Sequence, residues 1–371
     1  MTKILYIIST LKRGGPVNVL YNLLKYIDRT QFDVSILTIS QEGEQTRIND
    51  FRELNVSIKQ LNQKHESLFN GLLSALKRTI TEIDPDIIHT NGFRADILTG
   101  FFLNRYKRIT SLQNYPYDDY VMTYGRVKGT VMAGLSTMAL KRFSVPVTCS
   151  RDVAWKMRKK GLTCEVINNA VDLAFFNVPD KQEIDNMRHQ LGVREFDFVF
   201  SFIGVLTDRK LPQVTIEAFK KLSDQYKDQS VCLVIVGSGE LEDACKMEAS
   251  GYKNILFAGT VSDTRPYLVA SNCYVASSKS EGLPMSVVES LALGVPVILS
   301  DIGPHAEILS YNSKAGMLVA VNSVEAIFNA MKEILHSNLT ERKKAASDLV
   351  RKHLNAELMA RAYQDYYIKM A

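Results

Sequence analysis

One stretch decides the fold of this chain, and it reads SSKSEGLPMSVVESLALGVPVILSD from Ser277 to Asp301. Its first six residues form a polar loop that contains glycine. Residues 283–293 are predicted as a short amphipathic helix, because Pro284 suits a first helical turn, where a missing N–H costs no hydrogen bond. Gly294 ends this helix, and the apolar residues 295–299 predict a buried strand. The stretch is therefore predicted to be one loop–helix–strand unit of an α/β fold.

The same stretch carries two acidic residues, Glu281 before the helix and Glu289 within it. A helix N-terminus behind a glycine loop binds anions through its free N–H groups and its dipole. Carboxylates are good acceptors for pairs of sugar hydroxyls. Together, an anion-binding helix and two carboxylates indicate a sugar nucleotide as the ligand.

Apolar segments of strand and helix character alternate along the rest of the chain. Strands are predicted at residues 3–8, 32–39, 56–61, 87–89, 145–149, 198–204, 231–236, 255–258 and 273–277, and helices at 17–27, 68–83, 129–143, 151–160, 212–225, 264–271 and 356–367. This alternation predicts βαβ units and parallel sheets. A chain of 371 residues is longer than one hydrophobic core usually organises, so we expect two doubly wound domains. Ligands should bind at the carboxyl ends of the strands, which we expect to face a central cleft. The boundary is expected in the polar residues 173–190.

Composition and charge narrow the class of protein. Hydrophobic residues make up 46% and charged residues 23%, as in ordinary globular proteins. Residues 1–175 hold 24 Lys and Arg against 16 Asp and Glu, so the basic charge lies in the first half. The five scattered cysteines predict a reducing compartment and no zinc site. The N-terminal segment is not typical of a signal peptide, and no apolar run reaches a membrane span. We expect a cytoplasmic protein without a nucleic-acid partner.

The methionine-rich helix predicted at residues 129–143 has basic residues at both ends. One interpretation is a core helix with solvated ends. The other is an interfacial helix that contacts an anionic membrane or forms part of an acceptor groove. The neighbouring basic cluster of residues 156–160 is compatible with the second interpretation.

Most of the chain resembles the retaining glycosyltransferases of family 4, which have the GT-B fold. The most specific part of the resemblance is the pair of glutamates separated by seven residues, Glu281 and Glu289, followed by Leu293-Gly294-Val295-Pro296-Val297. Supporting elements are Gly237-Ser238-Gly239-Glu240, Phe257-Ala258-Gly259, residues 166–172, Asp86-Ile87-Ile88-His89 and Gly14-Gly15. The resemblance implies an acceptor domain at 1–175, a donor domain at 176–354, and a C-terminal helix at 355–371 that packs on the first domain.

The resemblance also implies roles on the donor side. Glu289 would hold the ribose hydroxyls and Glu281 the transferred sugar. Arg209 and Lys210 are assigned to the diphosphate and count with Glu281 as the catalytic group, while Val205 stands where the family often has arginine. The remaining donor-binding candidates are Gly14, Gly15, Gly204, Gly259, Val261, Gly282, Leu283 and Pro284.

On the acceptor side the chain departs from its relatives. Asn91 and Gln113 stand where many relatives have histidine, which puts the identity of a general base in doubt. The acceptor-side candidates are His89, Asn91 and Asn114, although a structural role for His89 is the favoured interpretation. Asp84-Pro85-Asp86 matches the metal-binding Asp-x-Asp pattern of another transferase fold, but we interpret it as a turn and expect neither metal nor cofactor.

These features predict a metal-independent, retaining transfer of a hexosyl group from a nucleoside-diphosphate sugar, with uridine favoured over guanosine. The expected acceptor is a glycan or polyprenyl-linked glycan in polysaccharide biosynthesis, and an anionic membrane surface is a further candidate partner. The alternative is a non-catalytic protein that binds sugar nucleotides or glycans on the same fold. A sugar phosphorylase or epimerase is disfavoured, because the lysine motif of the first is missing and the second lacks the glutamate pair.

Overall fold

The computed structural model describes residues 1–63, 71–226 and 230–371. The chain divides into two compact units, which we call unit 1 (Met1–Ala170 with Ala356–Ala371) and unit 2 (Val171–Asn355). The C-terminal segment thus belongs to unit 1, so unit 1 is discontinuous in sequence. The chain first crosses from unit 1 to unit 2 after Ala170, whereas the first domain was predicted to end at residue 175.

Unit 1 is built on a sheet of seven parallel strands in the order β3-β2-β1-β4-β5-β6-β7. The strands are β1 (Thr2–Ile8), β2 (Phe32–Ser40), β3 (Ser57–Gln63), β4 (Ile87–Asn91), β5 (Lys107–Leu112), β6 (Val145–Thr148) and β7 (Glu165–Val166). The helices are α1 (Gly15–Tyr26), α2 (Ile48–Glu53), α3 (Leu72–Ile83), α4 (Phe93–Phe102), α5 (Pro116–Tyr124), α6 (Arg126–Leu140), α7 (Arg151–Arg158) and, at the end of the chain, α16 (Ala356–Met370).

Unit 2 is built on six parallel strands in the order β10-β9-β8-β11-β12-β13. The strands are β8 (Phe198–Ile203), β9 (Val231–Val236), β10 (Ile255–Gly259), β11 (Cys273–Ala276), β12 (Val297–Ser300) and β13 (Gly316–Val319). The helices are α8 (Lys181–Gln190), α9 (Pro212–Gln225), α10 (Glu242–Glu248), α11 (Arg265–Ala270), α12 (Met285–Ala292), α13 (Gly303–Ser310), α14 (Val324–Leu335) and α15 (Leu339–His353), with a 3₁₀ turn at Ser313–Ala315.

The central strands of both sheets are buried on their two faces, which explains their continuous apolar runs. Every residue of β8, β9, β11 and β12 is buried, as expected for parallel strands with helices on both sides. In each unit the strand order reverses once, between β1 and β4 in unit 1 and between β8 and β11 in unit 2. The predicted α/β class with two doubly wound sheets is therefore confirmed.

The helix of the deciding stretch differs from its prediction. It begins at Met285, after an extended Pro284, and ends at Ala292 instead of spanning residues 283–293. It is also not amphipathic, because residues 287–292 are all buried. Since α12 packs against α15 and α11 as well as against the sheet, its outer face is covered too.

The structure also contains helices that the sequence analysis did not predict. Residues 173–190 were predicted to contain the domain boundary, without a helix. The last ten of them form α8, and the Asp180 carboxylate caps its first turn by accepting from Glu183 N–H at 2.8 Å. Helices α4, α5, α13, α14 and α15 and strand β13 were not predicted. The first residues of the helix predicted at 68–83 lie outside the described part of the chain.

Within the described ranges, the helices are either too short or too polar to cross a membrane.

Candidate functional site

The candidate donor site lies where the strand order of unit 2 reverses. Here the loop after β8 and the loop after β11 meet, because β8 and β11 are hydrogen-bonded neighbours. The Ser277 hydroxyl donates to the carbonyl oxygens of Lys210 and Leu211, each at 2.9 Å. Lys279 N–H donates to the Arg209 carbonyl at 2.8 Å. The two loops are therefore held together by hydrogen bonds to the carbonyl oxygens of residues 209–211, at the position where doubly wound folds bind ligands.

Glu281 and Lys210 form a buried ion pair between these loops. Lys210 Nζ lies 2.5 Å from Glu281 Oε1, and the Ser278 hydroxyl donates to the same oxygen at 2.7 Å. Burial alone would raise the pKa of Glu281, but the charges of Lys210 and Arg209 and these two hydrogen bonds outweigh it, so its pKa is lowered. Glu281 is therefore held as a carboxylate next to two cations.

Glu289 is the second buried carboxyl group of the site, and its environment is different. It lies on α12, with Thr264 Oγ1 3.5 Å from its Oε2 as the hydrogen-bond donor. Burial raises the pKa of Glu289 to about 7, and the nearby Asp263 adds to the increase. The two glutamates of the motif thus differ in protonation state at neutral pH: Glu281 is ionised, whereas Glu289 is partly protonated.

Glycines allow the strand ends to approach one another closely. Gly237 follows β9 with φ +128°, and a Cβ there would lie 2.0 Å from the Gly204 carbonyl oxygen. Gly237 N–H also donates to the Gly259 carbonyl at 2.7 Å. Gly204, Gly237 and Gly259 therefore join the carboxyl ends of β8, β9 and β10, while Val261 follows in the partly exposed loop after β10.

Sequence reasoning missed three polar residues near the Lys210–Glu281 pair: Ser278, Ser300 and His305. The Ser300 hydroxyl donates to the Ser278 carbonyl at 2.5 Å. His305 Nδ1 lies 2.8 Å from the Ser300 carbonyl, which can only accept, so the proton sits on Nδ1. Burial lowers the pKa of His305 to about 4, partly opposed by the charge of Glu281. Ser300 is the last residue of β12, the neighbour of β11, and this position was the available signal for it.

His89 of unit 1 is buried among tyrosines. Its Nδ1 lies 2.7 Å from the Tyr367 hydroxyl, its Nε2 lies 2.6 Å from Ser111 Oγ, and its ring packs 4.7 Å from that of Tyr6. Burial lowers the pKa of His89 to about 3. We infer that His89 is a neutral structural residue that anchors α16, since both of its ring nitrogens already have partners.

The other acceptor-side candidates lie at the carboxyl edge of the same sheet. Asn91 is the last residue of β4 and is in register with Ile8 at the end of β1, where the strand order of unit 1 reverses. Gly14 and Gly15, which were predicted to bind the donor, also belong to unit 1 and stand at the start of α1. Asn114 follows β5, and its side-chain amide donates to Asp119 Oδ1 at 3.3 Å.

The Asp84-Pro85-Asp86 segment is a turn. Asp84 ends α3 in the left-handed conformation, and Asp86 Oδ2 accepts from Lys3 N–H at 2.8 Å. This carboxylate therefore ties the start of β1 to the turn before β4. Among the described residues there is no group of three or more His, Cys, Asp or Glu side chains arranged to hold a metal ion.

Two family models match the chain. Residues 183–352 match the model described as Glycosyl transferases group 1, and residues 13–175 match the model described as Glycosyltransferase Family 4. The two matches correspond to most of unit 2 and most of unit 1.

Individual proteins resemble the chain over part or all of its length. A UDP-Gal:alpha-D-GlcNAc-diphosphoundecaprenol alpha-1,3-galactosyltransferase of Escherichia coli is 32% identical over 45% of this chain and 43% of its own length. The O-antigen biosynthesis glycosyltransferase WclY of Escherichia coli is 24% identical over 81% of this chain and 80% of its own. The chain spans about half the length of the curated relatives that it matches at 30% identity or more.

A solved structure matches the whole fold. Anabaena Alr3699/HepE in complex with UDP superposes with a TM-score of 0.82 at 17% identity, covering 99% of this chain and 100% of that one. This similarity confirms the predicted GT-B fold. The Glycosyltransferase Family 4 model thus matches most of unit 1 and the Glycosyl transferases group 1 model most of unit 2, so both units resemble glycosyltransferases.

Proposed function

We propose that this protein is a retaining glycosyltransferase that moves a hexosyl group from a uridine-diphosphate sugar to a hydroxyl of a glycan or lipid-linked glycan. The observation that carries the proposal is the buried Lys210–Glu281 pair at the strand-order reversal of unit 2, with Arg209 and Glu289 close by in the same unit. Such a constellation of charged side chains is costly to bury, so a structural purpose alone explains it poorly.

The cations suit the departing nucleoside diphosphate. As the bond from the sugar to the diphosphate breaks, negative charge builds on the phosphate oxygens, and preorganised positive charge lowers the barrier. Lys210 has three N–H donors, so it can hold Glu281 and a phosphate oxygen at the same time. The N-terminus of α12, reached through Gly282, Leu283 and Pro284, adds its free N–H groups and the positive end of its dipole.

The two glutamates suit the two sugars of the donor. Glu281 is ionised and can accept hydrogen bonds from hydroxyls of the hexosyl group, where its charge also favours an oxocarbenium-like transition state. Glu289 would accept from the ribose hydroxyls. Because binding a diol rewards the carboxylate form, we expect the donor to lower the pKa of Glu289 from about 7.

The printed names of similar proteins support the choice of donor and pathway class. HepE was solved with UDP, and the Escherichia coli relative is described as using UDP-Gal with a diphosphoundecaprenol-linked acceptor. WclY is described as acting in O-antigen biosynthesis. We therefore propose uridine over guanosine, a polysaccharide pathway, and a reaction on the cytoplasmic side of a membrane that carries the lipid-linked acceptor.

Retention and metal independence are part of the proposal. His89 has both ring nitrogens engaged, so we assign deprotonation of the acceptor hydroxyl to the departing phosphate, on the same face of the sugar. In this proposal Lys210 and Arg209 stabilise the charge of the departing diphosphate, as a metal ion does in metal-dependent transferases. EDTA should therefore leave the transfer rate unchanged. The anomeric configuration of the product, read by NMR, tests retention, and an inverted product would refute it.

One experiment separates an enzyme from a protein that only binds. Thermal shifts with UDP, GDP and UDP-hexoses identify the donor, because a bound ligand raises the melting temperature by mass action. Turnover of the matching donor is then compared for the natural protein, Glu281→Ala and the exposed control Glu217→Ala. We expect Glu281→Ala to lose at least 100-fold in rate, in the range of one lost electrostatic contact. Stabilisation by UDP-sugars without any transfer or hydrolysis would favour the non-catalytic alternative.

A further inference from the structure

Helix α6 of unit 1 carries an apolar stripe on its solvent side. The stripe consists of Val127, Val131, Leu135 and Met138, which are 81%, 58%, 43% and 56% exposed. The spacing of four, four and three residues places these side chains on one face. At 1.5 Å per residue the stripe is about 16 Å long. We call these four residues the α6 stripe.

The opposite face of α6 packs against the rest of unit 1, so the α6 stripe is not the face that the helix buries in the core. Ala133, Ala139 and Leu140 are fully buried. A Cβ on Gly129 would lie 2.4 Å from the Tyr120 carbonyl of α5, and one on Gly100 of α4 would lie 2.7 Å from the Ala139 carbonyl. Because glycines permit this close approach on the inner side, the outer side is left facing solvent. A contiguous exposed apolar surface of this kind marks an interaction site.

The surroundings of the stripe are basic. Helix α6 has no acidic residue, and Arg126, Lys128, Lys141 and Arg142 are exposed at its two ends. Residues 101–160 contain 12 Lys and Arg against 3 Asp and Glu. Lys156 alone pairs with two of those acids, Asp118 at 3.2 Å and Asp152 at 3.0 Å, so the excess positive charge remains on the other basic residues.

We propose that the α6 stripe docks unit 1 onto an anionic lipid membrane, with α6 lying in the plane of the headgroups. Apolar side chains on one face with lysine and arginine beside them are the signature of an interfacial helix. Each basic residue near an anionic surface contributes about 1 kcal/mol, or roughly fivefold in binding. A second copy of this chain fits less well, because a symmetric contact through α6 would bring the same basic residues face to face.

The inference rests on the proposed function only for its purpose, which is to bring the protein to a lipid-linked acceptor. Its test is co-sedimentation of the full chain with phosphatidylcholine vesicles and with vesicles containing 30% phosphatidylglycerol. The stripe variant is Val127→Glu with Val131→Glu. The matched control is Met247→Glu with Ile368→Glu, whose native side chains are 75% and 56% exposed elsewhere. Glutamates near the start of α6 are compatible with its dipole, and circular dichroism checks that the variant folds.

We expect the natural protein and the control to bind the anionic vesicles at least 10-fold more tightly than the neutral ones. The stripe variant should lose at least 10-fold, and added salt should weaken binding of the natural protein. Equal binding to both vesicles, or an unaffected stripe variant, would overturn the proposal. A dimer in light scattering that the stripe variant dissociates, without vesicle binding, would also overturn it in favour of self-association.

The UDP thermal shift distinguishes a failure here from a failure of the proposed function. The stripe variant should retain the full shift, since Arg209, Lys210, Glu281 and Glu289 belong to unit 2 and α6 contains none of the donor-binding candidates. Loss of the shift in the natural protein would count against the transferase instead.

Discussion

The most informative single change is Glu289→Gln, which keeps the shape of the side chain and removes its charge. In the natural protein burial raises the pKa of Glu289 from 4.5 to about 7. Between these values the folded state holds a proton that the unfolded state has released, so stability falls as pH rises through this window and the loss is complete above about pH 7. Glutamine has no proton to lose and avoids this penalty.

The magnitude follows from the width of the window. At 1.36 kcal/mol per pKa unit, the shift corresponds to roughly 3 kcal/mol of unfolding free energy at pH 8. Because Glu289 is buried, screening by water reduces this value little. We therefore expect Glu289→Gln to match the natural protein near pH 5 and to be more stable by up to about 3 kcal/mol at pH 8. For a unit of this size that difference raises the melting temperature by several degrees.

The assay is urea denaturation of the natural protein, Glu289→Gln and the exposed control Glu217→Gln at pH 5, 6, 7 and 8. The difference for Glu289→Gln should grow steadily with pH, while that for Glu217→Gln should stay flat. A Glu289→Gln variant that is less stable than the natural protein at pH 8 would refute the reasoning. The same variant should bind UDP at least 10-fold more weakly, because a neutral amide is a poorer acceptor for a diol.

Three further changes test other parts of the structure. Lys210→Met leaves Glu281 buried without the cation that pairs with it directly and should cost about 3 kcal/mol of unfolding free energy. The double variant with Glu281→Gln should recover most of this loss, and no recovery would mean that the two residues act independently. Tyr367→Phe removes the hydrogen bond to His89 and should cost about 1–3 kcal/mol, measured by urea titration, whereas an unchanged midpoint would show that α16 is held by packing alone. Gly237→Ala places a methyl group against the neighbouring strand end and should abolish the UDP thermal shift; a full shift would contradict the close approach.

Much of the architecture was readable because buried parallel strands have a strong signature. The apolar runs of β8 and β9 and the helix at 212–225 were predicted almost to the residue, since both faces of each strand must be apolar. Helix α8 escaped prediction for the opposite reason. Helix α8 buries no residue fully, so it lacks the apolar periodicity on which such predictions depend.

The candidate site was readable where its residues lie near each other in sequence or match a motif. Glu281 and Glu289 belong to one stretch, and the structure brings Lys210 onto Glu281 as a neighbour across two loops. The pairing itself was not foreseen, because both residues had been assigned to ligand groups. His305 was missed since its position depends on the hydrogen bonds of Ser300, which no spacing in the sequence reveals.

The discontinuity of unit 1 has a consequence for how the protein is made on the ribosome. Helix α16 supplies Tyr363 and Tyr367 to the core around His89, yet it follows unit 2 in the sequence and is therefore synthesised after it. Unit 2 is continuous from Val171 to Asn355 and can fold as soon as it emerges. Although most of unit 1 is translated first, it cannot complete its core until residues 356–371 have emerged. A chain truncated after residue 355 should therefore resist proteolysis in unit 2, whereas unit 1 should remain sensitive.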